Sequence, residues 1–304
     1  MKKIFVTVGI SNSGKSTWAH EQWAENPEKY IIVNRDKIRE LLFGFTEPTI
    51  YKYYHTAKIR DFEKEVTRYE DTLINEALQS GKMPIVDATH LSRKYLERFK
   101  YWNVPVEVKY FPIMLKEAEI RNVSRERQVP SEVMVKQYNQ FTGLMAELDK
   151  NPIDFTPVEF DNKPKSKYCF IYDIDGTLAH MDRKQRSPYD WHKVGLDTPD
   201  SSTATITDIM YKANSGVKVI ICTGRDGVCL GDTKRWLEEY DIPYDKIHIR
   251  PEGDQRPDWV VKEEMWREIA KEHYIVGMFD DRLQVVRRAR ALGLKVFNVE
   301  YNNF

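Results

Sequence analysis

The chain has 304 residues, of which 41% are hydrophobic and 31% are charged, and its formal net charge at pH 7 is zero. This length exceeds the ~100 to 200 residues of a usual domain, so two domains are expected. No apolar run approaches the roughly 18 residues of a membrane helix, and zero net charge argues against a protein that coats nucleic acid by long-range attraction.

The cysteine content indicates the redox setting. Cys169, Cys222 and Cys229 cannot all pair, and their spacing matches no zinc-binding pattern. We therefore expect reduced thiols and a cytoplasmic protein, in the host cell cytoplasm if the source is viral. The apolar N-terminal segment is too short for the core of a signal peptide, and we interpret it as a strand.

The first half of the chain alternates strand-like and helical segments. Runs of β-branched and apolar residues lie at Ile4–Val8, Tyr30–Val33, Met83–Val86 and Val106–Phe111. Segments with helical periodicity separate these runs, and the clearest of them extends from Thr56 to Ser80, before Gly81. This alternation predicts an α/β layer with a parallel sheet.

A glycine-rich loop follows the first predicted strand. Its sequence, Gly9-Ile10-Ser11-Asn12-Ser13-Gly14-Lys15-Ser16, fits G-x-x-x-x-G-K-[ST] and leads into a helical stretch. In this setting backbone amides and the helix N-terminus bind nucleotide phosphates, the lysine reaches the β and γ phosphates, and the serine hydroxyl ligates Mg²⁺. The pattern predicts an ATP and Mg²⁺ site formed by Gly9, Ser13, Gly14, Lys15, Ser16 and Thr17. The alternative is a glycine turn at a helix start.

The second predicted strand ends in a polar cluster, Asn34-Arg35-Asp36, with Arg39 one helical step further on. A carboxylate at the carboxyl end of a strand points into the crevice where α/β proteins bind ligands. Asp36 is therefore the candidate general base for an acceptor hydroxyl, and Arg39 is a candidate to hold the acceptor's 3′-phosphate. The alternative is that Asp36 is only a helix N-cap.

Two further clusters in the first half are candidates for substrate contacts. The third strand ends in Asp87-Ala88-Thr89-His90, and we assign Asp87 or Thr89 to acceptor binding, whereas His90 alone is more typical of a structural or surface residue. Arg121 and Arg125 lie four residues apart, so on a helix they would share a face and could clamp the donor phosphates. The alternative is a solvated basic face.

A linker is expected between the two halves. Residues 151–167 contain Pro152, Pro157 and Pro164 and lack sustained periodicity, which separates a domain 1–150 from a domain 168–304. Strand-like runs resume at Tyr168–Tyr172, Val217–Cys222, Ile275–Phe279 and Lys295–Val299. Helical segments lie between them, so the second domain is also predicted to be α/β.

The most specific motif is Asp173-Ile174-Asp175-Gly176-Thr177, directly after the first strand of the second domain. Two carboxylates one residue apart at the end of a buried strand repel each other, and a bound Mg²⁺ would relieve that repulsion. The pattern predicts that Asp173 is a nucleophile that accepts a phosphoryl group. Asp175 would protonate the leaving oxygen and later activate water.

Three more motifs follow in the order expected for such a site. Thr223-Gly224-Arg225 offers a hydroxyl, a main-chain amide and a cation to a phosphate. Lys262 is the candidate cation for the phosphoryl group and the aspartates, although a lysine beside two glutamates is usually a surface residue. Asp280 and Asp281 end another strand and are suited to metal ligation, with a solvated turn as the alternative.

These motifs resemble known families. Asp173, Asp175, Thr223, Lys262 and the Asp280-Asp281 pair are similar to those of the haloacid-dehalogenase phosphatase superfamily. Nearly the whole chain resembles the bacteriophage polynucleotide kinase/3′-phosphatases. The resemblance implies a P-loop kinase-like parallel sheet followed by a Rossmann-like phosphatase. It also implies phosphorylation of 5′-OH ends of DNA or RNA, removal of 3′-phosphates, a role in RNA repair and a homotetramer, and it leaves 2′,3′-cyclic phosphates open as a further substrate.

The same resemblance assigns residues to the two reactions. It implies that the kinase residues are Lys15, Ser16, Asp36, Arg39 and Arg125, and that Arg186, Arg225, Arg250, Asp258 and Arg282 join the phosphatase site. The phosphate loop departs from the family, because it has Ile10-Ser11-Asn12 where a proline and another glycine are common.

Two other functions are weighed against end healing. A small-metabolite kinase fused to a small-molecule phosphatase would use the same phosphate chemistry, but opposite activities on one chain make most sense when both act on the ends of one broken strand. A nucleotide-sensing or scaffolding protein would have degenerate sites. The intact Lys15, Ser16, Asp173 and Asp175 argue against it.

Overall fold

The chain forms two compact units. A computed structural model describes residues 2–44, 58–125, 128–213 and 216–302. The units are Met1–Pro157 and Val158–Phe304, so the division falls inside the predicted linker 151–167. Ile153 and Phe155 pack against the first core and Phe160 against the second. No helix among the described residues has the length and apolar character of a membrane span.

A four-stranded parallel sheet organises the first unit. Its described elements are β1 Ile4–Val8, α1 Lys15–Glu25, β2 Tyr30–Asn34, α2 Arg35–Phe43, α3 Ile59–Gln79, β3 Met83–Asp87, α4 Arg93–Glu97, β4 Val106–Tyr110, α5 Leu115–Val123 and α6 Ser131–Lys150. The strand order is β2-β3-β1-β4, and every neighbouring pair is parallel. All four strands therefore end at the same edge, where ligand sites of α/β proteins form.

The predicted strands of this unit are confirmed to within one residue. The helix expected from Thr56 is present from Ile59, and Thr56 itself lies outside the described residues. This helix buries Val66, Ile74 and Leu78, which recur at helical spacing and pack on the sheet. Full burial of each such side chain contributes roughly 1.5 to 3 kcal/mol.

The second unit is built on a five-stranded parallel sheet. Its described elements are β5 Tyr168–Tyr172, β6 Ala179–His180, β7 Thr198–Pro199, α7 Ser201–Lys212, β8 Val217–Asp226, α8 Leu230–Glu239, β9 Lys246–Arg250, α9 Asp258–Glu272, β10 Tyr274–Arg282, α10 Leu283–Ala291 and β11 Val296–Asn302. The order is β11-β10-β5-β8-β9, and β6 and β7 form a separate antiparallel pair.

Three features of this sheet differ from the sequence prediction. Strand β9 was not predicted, because its charged residues Lys246 and Arg250 suit an edge strand and interrupt the apolar signal. Strands β8 and β10 also extend beyond their apolar runs to Asp226 and Arg282. The backbone pairing continues through polar residues there, since Asp226 pairs with Arg250 on β9.

A buried ion cluster ties helices α2 and α3 to the turn that follows α4. Glu70 is fully buried, and its Oε2 accepts a hydrogen bond from Arg35 Nη1 at 2.7 Å. Arg98 donates to Glu70 and to Asp71, and its guanidinium lies over the rings of Phe99 and Trp102. Because a buried charge is costly without a partner, these carboxylates depend on the two arginines.

Removal of one arginine should therefore destabilise the first unit. We expect Arg98→Ala to lower the free energy of unfolding by about 3 to 5 kcal/mol, because it leaves Glu70 and Asp71 under-compensated. Lys64→Ala is the matched control on α3. Lys64 forms an exposed 4.0 Å pair with Asp61, so this substitution should cost less than about 1 kcal/mol. Denaturant unfolding of the full chain measures both values, and equal losses would contradict the role of the cluster.

Candidate active sites

The phosphate loop turns sharply between β1 and α1. Asn12 and Gly14 have positive φ values of 64° and 96°, a conformation that favours glycine and tolerates asparagine. Gly9 has no room for a side chain, because a Cβ atom there would lie 2.7 Å from Ser13 Oγ. The Gly9 amide donates to the Thr89 carbonyl at 3.1 Å, which fixes the loop to the end of β3.

Lys15 and Ser16 begin the helix that follows this loop. Lys15 is 7% exposed, and its ammonium group donates to the Ile10 carbonyl at 2.6 Å. Burial lowers the pKa of Lys15 to about 8, against the opposing effect of Asp87. Ser16 Oγ donates to Asp87 Oδ2 at 2.7 Å, and Asn34 Nδ2 donates to the same oxygen at 2.8 Å. Asp87 therefore lies against Ser16 at the end of the phosphate loop, although it was predicted to contact the acceptor.

Asp36 and Arg39 lie together at the start of α2. The N-cap of this helix is Asn34, whose side chain accepts from the Lys37 amide, so the alternative that Asp36 is the cap is wrong. Asp36 Oδ1 accepts from Arg39 Nη1 at 2.7 Å. Glu63 from α3 holds the other side of this guanidinium through bonds of 2.8 and 3.0 Å, which sequence reasoning missed. The Arg39 side chain is 10% exposed and the Asp36 side chain 45%.

His90 belongs to the structural support of this site. It is buried and has a positive φ of 47°. Its Nδ1 donates to the Thr7 carbonyl at 2.8 Å, and burial lowers the pKa of His90 to about 4. The ring is therefore neutral at physiological pH. This position supports the structural interpretation rather than a catalytic one.

Arg121 and Arg125 both reach the phosphate loop, although they do not share a helix. Helix α5 ends at Val123, so the prediction that both lie on one helical face is wrong. Arg121 Nη1 donates to the Asn12 carbonyl at 3.3 Å and Arg125 Nη1 donates to Asn12 Oδ1 at 2.6 Å. Arg121 also pairs with Glu117 at 2.5 Å.

One cavity of about 970 Å³ joins these residues. Its lining includes Ser13, Gly14, Lys15, Ser16, Thr17, Asp36, Arg39, Asp87, Thr89, Arg121 and Arg125. Gly9 lies beside it in the loop. Gln137 of α6 also lines the cavity and accepts from the Ser11 amide at 2.8 Å, a contact without a sequence signal.

In the second unit, Lys262 is the centre of a buried carboxylate cluster. Its Nζ lies 2.9 Å from Asp173 Oδ2, 2.8 Å from Asp280 Oδ2 and 3.7 Å from Asp258 Oδ2. Lys262 is 1% exposed, so the alternative of a surface lysine is wrong. Burial alone would lower the pKa of Lys262, but the surrounding carboxylates raise it, and the lysine therefore keeps its charge.

The donor set around Asp281 fits a divalent cation. Asp173, Asp280 and Asp281 can each offer one carboxylate oxygen within 4.8 Å of the others. Both Asp281 carboxylate oxygens are buried and have no hydrogen-bond partner within the described structure. Burial, and then Asp280, raise the pKa of Asp281 to about 7. Oxygen donors of this kind suit Mg²⁺ or Ca²⁺, and a cation would relieve both the burial and the repulsion.

Gly176 allows this arrangement. Its φ is 80°, and a Cβ atom there would lie 2.3 Å from Asp281 Oδ2. The Asp281 carboxylate therefore packs directly over a residue that can carry no side chain. The glycine of the D-x-D-G-T motif is required by both the turn and this close approach.

The Asp175 side chain is not in the carboxylate cluster. Arg225 binds both of its oxygens, at 2.8 and 2.9 Å, and Arg186 Nη2 donates at 2.9 Å. Burial alone would raise the pKa of Asp175, but Arg225 and then Arg186 outweigh it and hold the value at about 2. The predicted role of this side chain as a metal ligand therefore has no support. Asp197, which sequence reasoning missed, bridges the same two arginines.

Asp258 contacts three of the other residues predicted for the phosphatase site, Arg250, Arg282 and Gly224. Its Oδ1 accepts from Arg250 Nη2 at 3.0 Å, and its Oδ2 accepts from Arg282 Nη1 at 3.1 Å. Gly224 must lack a side chain, because a Cβ atom there would lie 2.1 Å from Asp258 Oδ1. Thr223 is fully buried, and its hydroxyl accepts from the Arg225 amide at 3.2 Å.

Family models match each unit separately. Residues 167–304 match the polynucleotide kinase PNKP phosphatase domain, and residues 4–148 match the AAA domain. This pair of matches confirms the resemblance drawn from the motifs and the two-domain α/β fold class.

Two relatives resemble at least 98% of the chain, and a third resembles 53% of it. A protein of Autographa californica nuclear polyhedrosis virus, described as a bifunctional polynucleotide kinase/RNA ligase, is 29% identical over 98% of this chain. The chain spans only 42% of that relative. A chain in the structure of the Pnkp1/Rnl/Hen1 RNA repair complex is 26% identical over 100% of this chain and 97% of its own, with a TM-score of 0.43. Shikimate kinase from Acinetobacter baumannii is 14% identical over 53% of this chain and 84% of its own, with a TM-score of 0.34.

The carboxylate cluster predicts a measurable loss on substitution. Asp281→Asn removes one charge and one ligand, so we expect the Kd for Mg²⁺, measured by calorimetry without nucleotide, to rise at least about tenfold. Asp232→Asn is the control, because Asp232 lies outside the cluster and pairs with Arg235 on the surface of α8. An unchanged Kd in the Asp281 variant would contradict the assigned site.

Proposed function

We propose that this chain heals both ends of broken nucleic-acid strands. The support is the match of residues 167–304 to the phosphatase domain of polynucleotide kinase and of residues 4–148 to the AAA domain. It transfers the γ-phosphate of ATP to 5′-OH ends of DNA or RNA and removes 3′-phosphates, with 2′,3′-cyclic phosphates as a further substrate. The main support for the proposal is that both domains occur on one chain. The alternative of small metabolites is not favoured, because the matching phosphatase family is that of a polynucleotide kinase.

The viral relative supports the same function and also limits which reactions can be proposed for this chain. Its description combines polynucleotide kinase with RNA ligase, and this chain spans 42% of its length. Only the end-healing reactions are therefore proposed here. They leave a 5′-phosphate and a 3′-hydroxyl, which are the groups that a strand-joining reaction consumes. From resemblance alone we further infer a homotetramer. The three cysteines, which cannot all pair, favour a cytoplasmic protein, in the host cell if the source is viral.

In the kinase reaction, the phosphate loop holds the donor. The backbone amides of Ser13, Gly14 and Lys15 would bind donor phosphate oxygens, and the Lys15 ammonium would move from the Ile10 carbonyl to the β and γ phosphates. Arg121 and Arg125 add positive charge from the other side of the loop. This charge stabilises electrons that move onto the leaving phosphate.

We assign the role of general base to Asp36. Its half-exposed carboxylate lies in the cavity that holds the phosphate loop, and Arg39 and Glu63 fix its surroundings. The 5′-hydroxyl loses its proton to Asp36 as its oxygen bonds to the γ-phosphorus and the bond to ADP breaks. Arg39 would pair with the acceptor's 3′-phosphate. Of the two acceptor candidates, Thr89 would contribute to the acceptor side of the same cavity, because Asp87 is bonded to Ser16 of the phosphate loop.

In the phosphatase reaction, Asp173 attacks the 3′-phosphate. One Asp173 oxygen bonds to phosphorus while the bond to the 3′-oxygen breaks, and Lys262 stabilises the added negative charge. Asp175 gives a proton to the leaving oxygen. It then takes a proton from the water that attacks phosphorus, which releases phosphate and restores Asp173. Thr223, the Gly224 amide, Arg250 and Arg282 surround the place where the phosphate would bind.

The protonation state of Asp175 adds a requirement to this scheme. With two guanidinium groups on its carboxylate, its pKa is about 2, so Asp175 is deprotonated before substrate binds. To act as an acid it must first gain a proton. We infer that a substrate phosphate draws Arg225 and Arg186 away from Asp175, which would raise its pKa and permit the first step.

Both reactions use a divalent cation, and the kinase uses ATP. We propose Mg²⁺ in each case. The Asp173, Asp280 and Asp281 carboxylates would hold it in the second unit, and the Ser16 hydroxyl would ligate it in the first. A bound cation neutralises phosphate charge at both places and positions the phosphate oxygens.

Two substitutions should separate the activities. Lys15→Ala should reduce the addition of phosphate to an oligonucleotide with hydroxyl groups at both ends by at least about 1,000-fold. It should leave removal of phosphate from an oligonucleotide with phosphates at both ends unchanged. Asp173→Asn should do the reverse, because it lacks the nucleophile. Mass spectrometry of the two oligonucleotides measures each reaction alone, and loss of both activities in either variant would contradict two independent sites.

The lowered pKa of Lys15 predicts pH-dependent ATP binding. Above about pH 8 the unliganded lysine is mostly neutral, and bound phosphate must recruit a proton. The Kd for ATP, measured by calorimetry between pH 7 and 9.5, should therefore rise with pH and approach tenfold per unit. Lys15→Arg is the control, since a guanidinium stays charged, and its Kd should remain flat. A flat profile for the unaltered protein would rule out this explanation.

A further inference from the structure

Asn12 has a side chain at a loop position where glycine would be sufficient for the backbone. Its φ of 64° lies in the left-handed region, which glycine adopts without strain. It also lies in the segment where the chain departs from the family it resembles. The contacts of this side chain therefore indicate what asparagine adds beyond a permissive backbone.

The Asn12 amide group binds helix α5. Its Nδ2 donates to Asn122 Oδ1 at 3.0 Å and to the Ala118 carbonyl at 3.3 Å. Asn122 is buried and is itself fixed by Val129, which bonds to it in both directions at 2.8 and 2.9 Å. Asn12 thus connects the phosphate loop to a rigid part of α5.

The oxygen atoms of Asn12 face the two arginines. Oδ1 accepts from Arg125 Nη1 at 2.6 Å, and the main-chain oxygen accepts from Arg121 Nη1 at 3.3 Å. Both guanidinium groups line the cavity that contains the phosphate loop. A guanidinium has five N–H donors, so a bond to Asn12 leaves donors for phosphate oxygens. These contacts are therefore compatible with a bound nucleotide.

We propose that Asn12 is a positioning residue for the kinase reaction. Its amide group holds α5 against the phosphate loop, and its Oδ1 orients Arg125 toward the donor phosphates. Arg125 is exposed, and its side chain can adopt many rotamers. A fixed hydrogen-bond acceptor such as Asn12 Oδ1 restricts them and so reduces the side-chain entropy lost when ATP binds. This inference rests on the proposed kinase function of the first unit.

The test is Asn12→Gly, which keeps the left-handed backbone and removes the side chain. We expect the KM for ATP to rise about tenfold, the scale for loss of one hydrogen bond to a charged group. The KM for the 5′-OH oligonucleotide should not change. Asn103→Gly is the matched control, because Asn103 also has a positive φ, of 49°, and lies after the turn 98–102, outside the lining of this cavity. An unchanged KM for ATP in Asn12→Gly would overturn the proposal.

A second measurement separates positioning from a structural role. If Asn12 acts through Arg125, then Asn12→Gly should raise the KM for ATP much less in an Arg125→Ala background than in the unaltered protein. The full tenfold effect in both backgrounds would overturn the inferred connection. Direct titration of ATP tests the positioning role of Asn12 separately from the proposed kinase function. If no 5′-OH end is phosphorylated, the proposed function fails, whereas a tenfold weaker Kd for ATP in Asn12→Gly would still uphold the positioning role.

Discussion

The second unit depends on one buried ammonium group. Lys262 is 1% exposed, and its Nζ lies within 4 Å of carboxylates from Asp173, Asp258 and Asp280. These acidic groups come from three different elements of the fold. Without the lysine, their mutual repulsion and burial would oppose the packing of α9 on the sheet. The same charge that holds the fold together lies beside the proposed nucleophile, so stability and chemistry depend on one interaction.

The first unit compensates its buried charges differently. Two of its buried carboxylates, Glu70 and Asp71, are compensated by Arg35 and Arg98, and Glu63 holds Arg39. Lys15 is left with main-chain and hydroxyl partners, and burial weakens its hold on its proton. A phosphate group is the partner that would restore the favourable charge balance. This arrangement suits a site that binds a polyanion, while the charge clusters below it remain intact.

The sequence predicted most of the sheets and the chemical groups, because strands end in polar motifs whose roles follow from residue type. It did not predict β9, since an edge strand with charged residues lacks an apolar run. The sequence also did not predict the residues that hold other site residues in place through hydrogen bonds and ion pairs. Glu63, Asp197 and Gln137 are distant in sequence from Arg39, Arg225 and Ser11, and only folding brings each pair together. The sequence also did not predict the surroundings of Asp175. Its residue type suggested a metal ligand, but the fold surrounds its side chain with arginines.

The central claim is that one chain acts on both ends of one strand. The most direct measurement uses an oligonucleotide with a 5′-hydroxyl and a 3′-phosphate, together with ATP that carries ¹⁸O in its γ-phosphate. Digestion of the product and mass spectrometry then locate each phosphate. We predict a labelled phosphate at the 5′ end and a free hydroxyl at the 3′ end. A retained 3′-phosphate, or a 5′ end without label, would contradict it.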